Sequence, residues 1–202
     1  MKLVGMLDSP YVRRVAISLD LYGVDFEHQP LSVFSTYEQF ASINPVVKAP
    51  SLVLDDSTVL MDSSLILDYF EASAPIDRKL LPQQASARAQ DLQLIGLALA
   101  ACEKTVQIVY EHNLHLRPAE KLHEPWLDRV TGQLLAAYSA LEKRLAHAPD
   151  DGLTQGAISA AVAWSFSQFT VASVVNAEAF PHLQRHAGRL EEHPAFKRYP
   201  IA

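Results

Sequence analysis

Hydrophobic and polar residues repeat with two different periods in the first part of the chain. Residues 2–7 form a short apolar run that ends at Asp8-Ser9-Pro10, which is typical of a buried strand and a turn. The next apolar residues recur at the spacing of one helix face: Val12, Val15, Ala16 and Leu19. Residues 24–31 alternate between apolar and polar side chains, as in a half-buried strand. These patterns predict a β-α-β unit.

The boundaries of the predicted elements carry recognisable residues. Ser9 is a preferred helix N-cap, Pro10 suits the first helical position, and Gly23 suits the position after the helix. Residues 35–38, Ser-Thr-Tyr-Glu, predict a capping box that opens a short helix. The apolar runs 51–54 and 58–61 predict a hairpin, and Asp62-Ser63 then begins another helix. The predicted order is β-α-β-α-β-β-α.

The hydrophobic pattern of the sequence changes after a predicted linker over 75–84, which contains Pro75 and Pro82. Runs rich in alanine and leucine then predict helices over about 85–115, 125–148, 154–173 and 179–192. Predicted breaks fall at 117–118, 148–152 and 193–194. We therefore expect a small α/β domain over 1–74, followed by an all-α domain over 85–202.

Composition excludes several classes of protein. Of 202 residues, 49% are hydrophobic and 20% charged, which is ordinary for a globular chain. The chain has 17 basic and 23 acidic residues, and its basic residues are scattered, which argues against a nucleic-acid partner. The N-terminus lacks the pattern of a signal peptide, and the absence of 18 uninterrupted apolar residues argues against a membrane span. The single cysteine, Cys102, predicts a buried packing role and fits a cytoplasmic location.

Three short motifs in the first domain resemble those of the soluble glutathione transferases, whose N-terminal domain is thioredoxin-like. The first, Ser9-Pro10-Tyr11 with the four residues that follow, is similar to that of serine-type bacterial members. The second covers residues 44–52, Asn-Pro-Val-Val-Lys-Ala-Pro-Ser-Leu. The third is Asp62-Ser63-Ser64. With the element order and the helical second half, the resemblance spans nearly the whole chain.

The resemblance implies a catalytic role for Ser9. Glutathione reacts as a thiolate, and a helix N-terminus carries about half a positive charge together with free N–H donors. A serine hydroxyl at that end can donate a hydrogen bond to the thiolate and lower the pKa of the thiol. The alternative is a plain N-cap, which contributes ~1 kcal/mol to stability.

The resemblance also implies a glutathione-binding set made of Lys48, Ala49, Pro50, Asp62 and Ser63. Ala49-Pro50 matches a cis bond whose preceding residue pairs through its backbone with the cysteinyl part of glutathione. The alternative is a trans proline that opens an edge strand. Asp62 would bind the γ-glutamyl ammonium and Ser63 the γ-glutamyl carboxylate, although both residues also suit a helix cap. Lys48 would meet the glycine carboxylate or remain a solvated surface lysine.

The implied activity is attack of the glutathione thiolate on a small hydrophobic electrophile. The electrophile pocket is expected to draw on Tyr11, Phe34 and Tyr110, and the protein is expected to form a two-fold homodimer. Other functions are a non-catalytic binding or regulatory protein and a glutathione-dependent isomerase, lyase or peroxidase. No metal is expected, because His182 and His186 lack a third ligand and are interpreted as surface residues.

Two positions depart from the family's pattern, and two arginines have an ordinary interpretation. Val47 stands where the family usually has glycine, so we expect a different turn there. Ala157 replaces an aspartate that completes a capping box, so we expect Thr154 to cap its helix alone, at a cost of ~1 kcal/mol. Arg13 and Arg14 are expected on a solvated helix face.

Overall fold

The computed structural model describes residues 1–112, 118–147 and 152–201. These residues form two compact units, one made of residues 1–82 with 192–202 and the other of residues 83–191. Residue 117, the expected helix end at 113–115, and the predicted break at 148–151 lie outside the described residues.

The first unit contains the predicted element order. Its strands are β1 (Lys2–Val4), β2 (Glu27–Gln29), β3 (Ser51–Val53) and β4 (Val59–Met61). They form one sheet in the order β2-β1-β3-β4, in which β1 and β2 are parallel and the other neighbours antiparallel. The helices are α1 (Pro10–Tyr22), α2 (Tyr37–Ile43) and α3 (Ser63–Ser73). The thioredoxin-like fold is therefore confirmed.

Helix α1 is buried on more sides than its apolar stripe predicted. Its stripe packs into the core as expected, but Ile17 and Ser18 are also fully buried. Arg13 and Arg14 are only 1% and 3% exposed, so their expected placement on a solvated face is wrong. Helix α1 contacts β1, α3 and the C-terminal segment, which together leave little of its surface to water.

Helix α2 begins without the predicted capping box. Its N-cap is Thr36, and this side chain makes no capping hydrogen bond. The Thr36 hydroxyl instead accepts from the Ser32 N–H at 2.8 Å and donates to the Ser32 carbonyl at 3.0 Å. The polar side chain at this helix start therefore closes the preceding loop.

The second unit is helical, as predicted. It contains α4 (Ala85–His112), α5 (Glu124–Leu145), α6 (Gln155–Val171) and α7 (Pro181–Glu191). Short 3₁₀ turns lie at Ile76–Arg78 in the first unit and at Ala119–Lys121 and Ala177–Ala179 in the second. Helix α4 packs against α5 and α6. Cys102 on α4 is buried, which confirms its predicted packing role.

The end of the chain departs from the expected domain boundaries, because residues 192–202 belong to the first unit. This segment contains the short helix α8 (Pro194–Arg198). Arg13 Nε donates to the Tyr199 carbonyl at 2.8 Å, and its guanidinium lies 5.5 Å from the centre of the Phe196 ring. The Tyr199 ring also stacks on Phe26. These contacts explain why the segment returns to the first unit.

Helix α6 is not capped by Thr154 alone, which corrects the expectation from sequence. The Thr154 hydroxyl accepts from the Ala157 N–H at 3.1 Å and donates to the Asp91 carboxylate. Asp91 Oδ2 also accepts from the Gly156 N–H at 3.0 Å. A carboxylate from α4 thus replaces the aspartate that is missing at position 157. A Cβ atom at Gly156 would lie 2.5 Å from Asp91 Oδ1, so this close approach requires glycine.

One histidine of the expected surface pair is buried instead. His186 is 9% exposed, and its Nε2 lies 3.0 Å from the Ala157 carbonyl. His182 is partly exposed and contacts Glu142 at 2.6 Å. Among the described residues, no group of three or more His, Cys, Asp or Glu side chains is arranged to hold a metal ion.

Helix α4 also meets a length and composition criterion for crossing a membrane. Within the described residues, Ala85–Glu111 is the one segment that does so. The criterion is weak, because core helices meet it as well, and α4 packs against two neighbouring helices.

Candidate functional site

Strand register brings the three sequence motifs to one edge of the sheet. Val4 at the end of β1 pairs with Ser51 at the start of β3, and Ser51 pairs with Met61 at the end of β4. The turn that carries Ser9 follows β1, Ala49-Pro50 immediately precedes β3, and Asp62-Ser63 follows β4. All three segments therefore lie at the same edge of the sheet. The antiparallel pairing of β3 with β1 and with β4 therefore brings together segments as far apart in the chain as Ser9 and Asp62.

Ser9 lies at the N-cap of α1, but its hydroxyl does not cap the helix. The residue has the extended backbone of an N-cap, and its carbonyl accepts from the Arg13 N–H at 3.0 Å. No capping hydrogen bond involves its side chain, and Ser9 is only partly buried. Partial burial raises the pKa of the neighbouring Asp8 carboxyl, outweighing backbone hydrogen bonds that lower it. The Ser9 hydroxyl thus lies beside the positive end of α1 but makes no hydrogen bond that caps the helix.

The loop before β3 is held by buried polar side chains. Asn44 Nδ2 donates to Ser51 Oγ at 2.8 Å, and Ser51 Oγ donates to the Lys48 carbonyl at 2.8 Å. Asn44 Oδ1 accepts from the Val46 N–H at 3.0 Å. The Ala49-Pro50 bond is cis, which confirms the prediction from the resemblance. Sequence analysis assigned no role to Asn44 or Ser51, although both belong to the second motif.

The turn in this loop keeps a conformation that favours glycine, although glycine is absent. Val47 has a φ of 51°, in the left-handed region that a β-branched residue rarely adopts. Val47 therefore adopts, at this position, a conformation that glycine adopts at less cost.

A glycine lets the loop approach α1 closely. Gly5 has a φ of 139°, and a Cβ atom built there would lie 2.5 Å from Val12 Cγ2 and 3.2 Å from Ala49 Cβ. The Gly5 carbonyl contacts His28 Nε2 at 2.8 Å. Only a residue without a side chain leaves room for Ala49 beside the first turn of α1.

The third motif forms the start of α3. Asp62 is the N-cap, and its Oδ1 accepts from the Ser64 N–H at 2.9 Å. Ser63 is 3% exposed, and its Oγ accepts from Arg14 Nη1 at 3.2 Å. The same nitrogen donates to Ser64 Oγ at 3.3 Å. Arg14 is thus a site residue that sequence analysis missed. The buried residues Ile17 and Ser18 beside it indicate that α1 is covered on several faces.

Lys48 and Asp62 form an ion pair at the surface of this edge. Lys48 Nζ lies 3.6 Å from Asp62 Oδ2, and the two side chains are 52% and 43% exposed. Such an exposed pair adds little to stability. Its geometry demonstrates that the Asp62 carboxylate is accessible to an ammonium group.

The three aromatic residues expected at an electrophile pocket fall in different units. Tyr11 and Phe34 belong to the first unit and Tyr110 to the second. Tyr11 is partly buried, whereas the other two are exposed. Partial burial raises the pKa of the Tyr110 phenol, which therefore stays neutral at physiological pH.

Comparisons with known proteins agree with this architecture. A family profile described as "Glutathione S-transferase, N-terminal domain" matches residues 3–79. The chain is 27% identical to glutathione S-transferase Z2 of Arabidopsis thaliana, over 98% of this chain and 89% of that protein. It is 28% identical to maleylacetoacetate isomerase of Rattus norvegicus, over 65% of this chain and 59% of that protein.

A solved structure gives the same result. The chain superposes on a glutathione transferase family member from Pseudomonas fluorescens Pf-5, crystallised with bound glutathione, with a TM-score of 0.84. The two sequences are 29% identical, and the match covers 100% of this chain and 98% of that one. The motifs, the sheet edge and these similarities lead to one conclusion: residues 3–79 match the N-terminal domain of glutathione S-transferases, and the whole chain is similar to members of that family.

Proposed function

We propose that the protein is a serine-type glutathione S-transferase that binds glutathione at the sheet edge and activates its thiol with Ser9. The observation that carries the proposal is the Ser9 hydroxyl, which lies at the N-terminus of α1 but makes no cap to it. A hydroxyl that stabilised only the helix would bond to the first-turn N–H groups. This hydroxyl is available to an external acceptor.

In the proposed reaction, Ser9 donates a hydrogen bond to the glutathione thiolate, and the helix N-terminus adds its partial positive charge. Both effects lower the pKa of the thiol, so more of it is ionised at neutral pH. The thiolate sulfur then forms a bond to an electrophilic carbon. In a substitution the leaving group departs with its electron pair, and in an addition the adjacent carbon takes up a proton.

The remainder of glutathione is assigned to the residues around Ser9. The Ala49 backbone, immediately before β3, pairs with the cysteinyl segment as an added strand would. Asp62 binds the γ-glutamyl ammonium, in the same way that it now contacts the Lys48 ammonium at 3.6 Å. Ser63 binds the γ-glutamyl carboxylate. Lys48 is assigned to the glycine carboxylate, and Pro50 fixes the loop that carries both Lys48 and Ala49.

The electrophile and the assembly complete the proposal. Tyr11, Phe34 and Tyr110 supply aromatic surface for a small hydrophobic electrophile, and the single buried cysteine suits a cytoplasmic protein. Several apolar side chains on α4 remain partly accessible: Leu92, Leu94, Ile95, Leu97 and Leu99. We assign this surface to a homodimer contact. Light scattering should give twice 22.3 kDa, and a monomer mass at micromolar concentration would contradict the assignment.

A second candidate is a glutathione-dependent isomerase. The similarity to maleylacetoacetate isomerase of Rattus norvegicus favours it. Both candidates need bound glutathione and an activated thiolate, but an isomerase regenerates glutathione in each cycle. The two therefore differ in whether glutathione is consumed.

Calorimetry with glutathione, followed by assays of purified protein, tests the proposal. We expect saturable binding and glutathione-dependent turnover of an aryl halide or an activated alkene, with loss of free thiol. Turnover of maleylacetoacetate without loss of thiol would favour the isomerase. The absence of glutathione binding would overturn both candidates and favour a non-catalytic protein of the same fold.

A further inference from the structure

A buried arginine, Arg14, contacts the two serines at the start of α3. Arg14 is 3% exposed, and its Nη1 donates to Ser63 Oγ at 3.2 Å and to Ser64 Oγ at 3.3 Å. The arginine lies on α1, 49 positions before Ser63 in the chain. A buried charge is costly unless it is paired or hydrogen-bonded, so this placement requires dedicated partners.

The direction of these hydrogen bonds constrains what Ser63 can bind. A guanidinium only donates, so Ser63 Oγ must act as the acceptor towards Arg14. A hydroxyl has one proton, and Arg14 leaves that proton to be donated elsewhere. The hydroxyl proton can then point to a ligand acceptor, such as a carboxylate oxygen, and the nearby guanidinium charge disfavours a cationic ligand group at the same place. The guanidinium charge favours an anion beside Ser63.

We propose that Arg14 is a positioning residue that orients the Ser63 proton towards the ligand and, through its charge, makes this subsite selective for a carboxylate. The inference rests on the proposed function, in which Ser63 binds the γ-glutamyl carboxylate of glutathione. It adds that the selectivity comes from a residue that does not touch the ligand. Asp62, at the same helix start and 43% exposed, is assigned to the ammonium.

The neighbouring residue offers a matched control. Arg13 is equally buried, at 1% exposure, but it donates to the Tyr199 carbonyl and packs over the Phe196 ring. Removing Arg13 disturbs the attachment of the C-terminal segment, whereas removing Arg14 disturbs the start of α3. The same substitution at the two positions therefore separates a general loss of packing from a loss of carboxylate selectivity.

The test measures dissociation constants for glutathione and for γ-aminobutyryl-cysteinylglycine, which lacks only the γ-glutamyl carboxylate. We expect wild type to prefer glutathione about 10- to 100-fold, the range for hydrogen bonds to a charged group. Arg14→Gln removes the charge and lets the side chain accept from Ser63, so the preference should fall at least about 5-fold. Arg14→Lys, which still only donates, should keep most of the preference. Arg13→Gln should lower the melting temperature and leave the preference unchanged.

Several results would overturn the inference. An equal loss of affinity for both peptides in Arg14→Gln would mean that Arg14 only supports packing. A similar fall in preference in Arg13→Gln would lead to the same conclusion. If Arg14→Gln does not fold, Arg14→Met, which fills the same space without polar atoms, carries the same expectation. Wild type that binds glutathione without preferring it would overturn this inference alone, whereas no glutathione binding would overturn the proposed function as well.

Discussion

The N-termini of the helices contact different kinds of group in the two units. In the second unit, carboxylates from neighbouring helices meet the starts of α6 and α7. Asp91 on α4 accepts from the Gly156 N–H at 3.0 Å, and Glu142 on α5 accepts from the His182 and Leu183 N–H groups at 2.9 Å. In the first unit, α1 begins at Ser9, whose hydroxyl does not cap it, and α3 begins with its own Asp62.

The difference indicates how one physical feature serves two purposes. A carboxylate from a neighbouring helix satisfies the free N–H groups and neutralises the positive helix end, which holds two helices together. A neutral hydroxyl leaves the positive end available, and under the proposed function the anions of glutathione occupy that place. The helix starts of the second unit thus contribute to stability, whereas the start of α1 is left, under the proposed function, for the glutathione thiolate.

The largest effects are expected from alanine substitutions at the N-cap residues of α1 and α6, Ser9 and Thr154. Ser9→Ala should reduce turnover by ~10²- to 10³-fold, because a single donor to a developing or stabilised anion is worth about 2.7–4 kcal/mol. Its melting temperature should hardly change, since the Ser9 side chain makes no capping bond. Thr154→Ala should do the opposite, losing ~1 kcal/mol of stability while its folded fraction turns over normally. Unchanged turnover in Ser9→Ala would remove Ser9 from the mechanism.

The next effect concerns the carboxylate that closes α6. Asp91→Ala leaves the Thr154 hydroxyl and the Gly156 N–H without their buried acceptor, so we expect a loss of about 2–3 kcal/mol in the free energy of unfolding. Adding Ala157→Asp restores a carboxylate within the helix's own first turn and should recover part of the loss. Denaturant unfolding of the two single variants and the double variant measures this coupling. If the stability change of the double variant equals the sum of the changes in Asp91→Ala and Ala157→Asp, the new carboxylate does not replace that of Asp91.

The carboxylate that closes α7 predicts a dependence on pH. Burial alone would raise the pKa of Glu142, but the His182 and Leu183 N–H donors and the His182 ring lower it below its usual 4.5. A carboxyl whose pKa is lower in the folded than in the unfolded chain stabilises the fold at pH values above its unfolded pKa. This stabilisation is lost as pH falls through the folded pKa. Glu142→Gln should therefore cost ~1 kcal/mol at pH 7. The difference from wild type should shrink below pH 4.5 and vanish once pH falls below the lowered pKa of the folded protein.

A matched variant checks this result. Glu192→Gln removes a carboxylate that is 76% exposed and pairs only with Lys197 at the surface, so its stability should follow that of wild type at every pH. A constant difference between Glu142→Gln and wild type from pH 7 to pH 3 would contradict the assigned role.

The smallest effect lies in the loop of the candidate site. Val47→Gly relieves a left-handed conformation that costs ~1–2 kcal/mol in a residue with a side chain, but it adds chain flexibility worth roughly 0.5–1 kcal/mol. We expect a net gain of up to about 1 kcal/mol in stability. Val46→Gly, one position earlier and without a positive φ, should instead be destabilising. Equal effects of the two variants would exclude strain at Val47.

The sequence alone determined the elements of the first unit because their signals are local. The apolar spacing, the proline at position 10 and Gly23 bound α1 as predicted, and Gly23 has the left-handed φ of 75° typical of a helix end. Helix periodicity likewise predicted an all-α second part. The capping box predicted at α2 does not form, because the N-cap is Thr36 and its hydroxyl bonds to Ser32 in the preceding loop.

The tertiary structure decided which residues support the site and the helix starts. Arg14 meets Ser63 across 49 positions, Asp91 meets Gly156 across 65, and Arg13 meets Tyr199 across 186. Periodicity and caps describe contacts within a few residues, so no local pattern reports these pairs. A charged residue on a helix is normally solvated, and only the packing of α3 and the C-terminal segment around α1 made burial of Arg13 and Arg14 favourable.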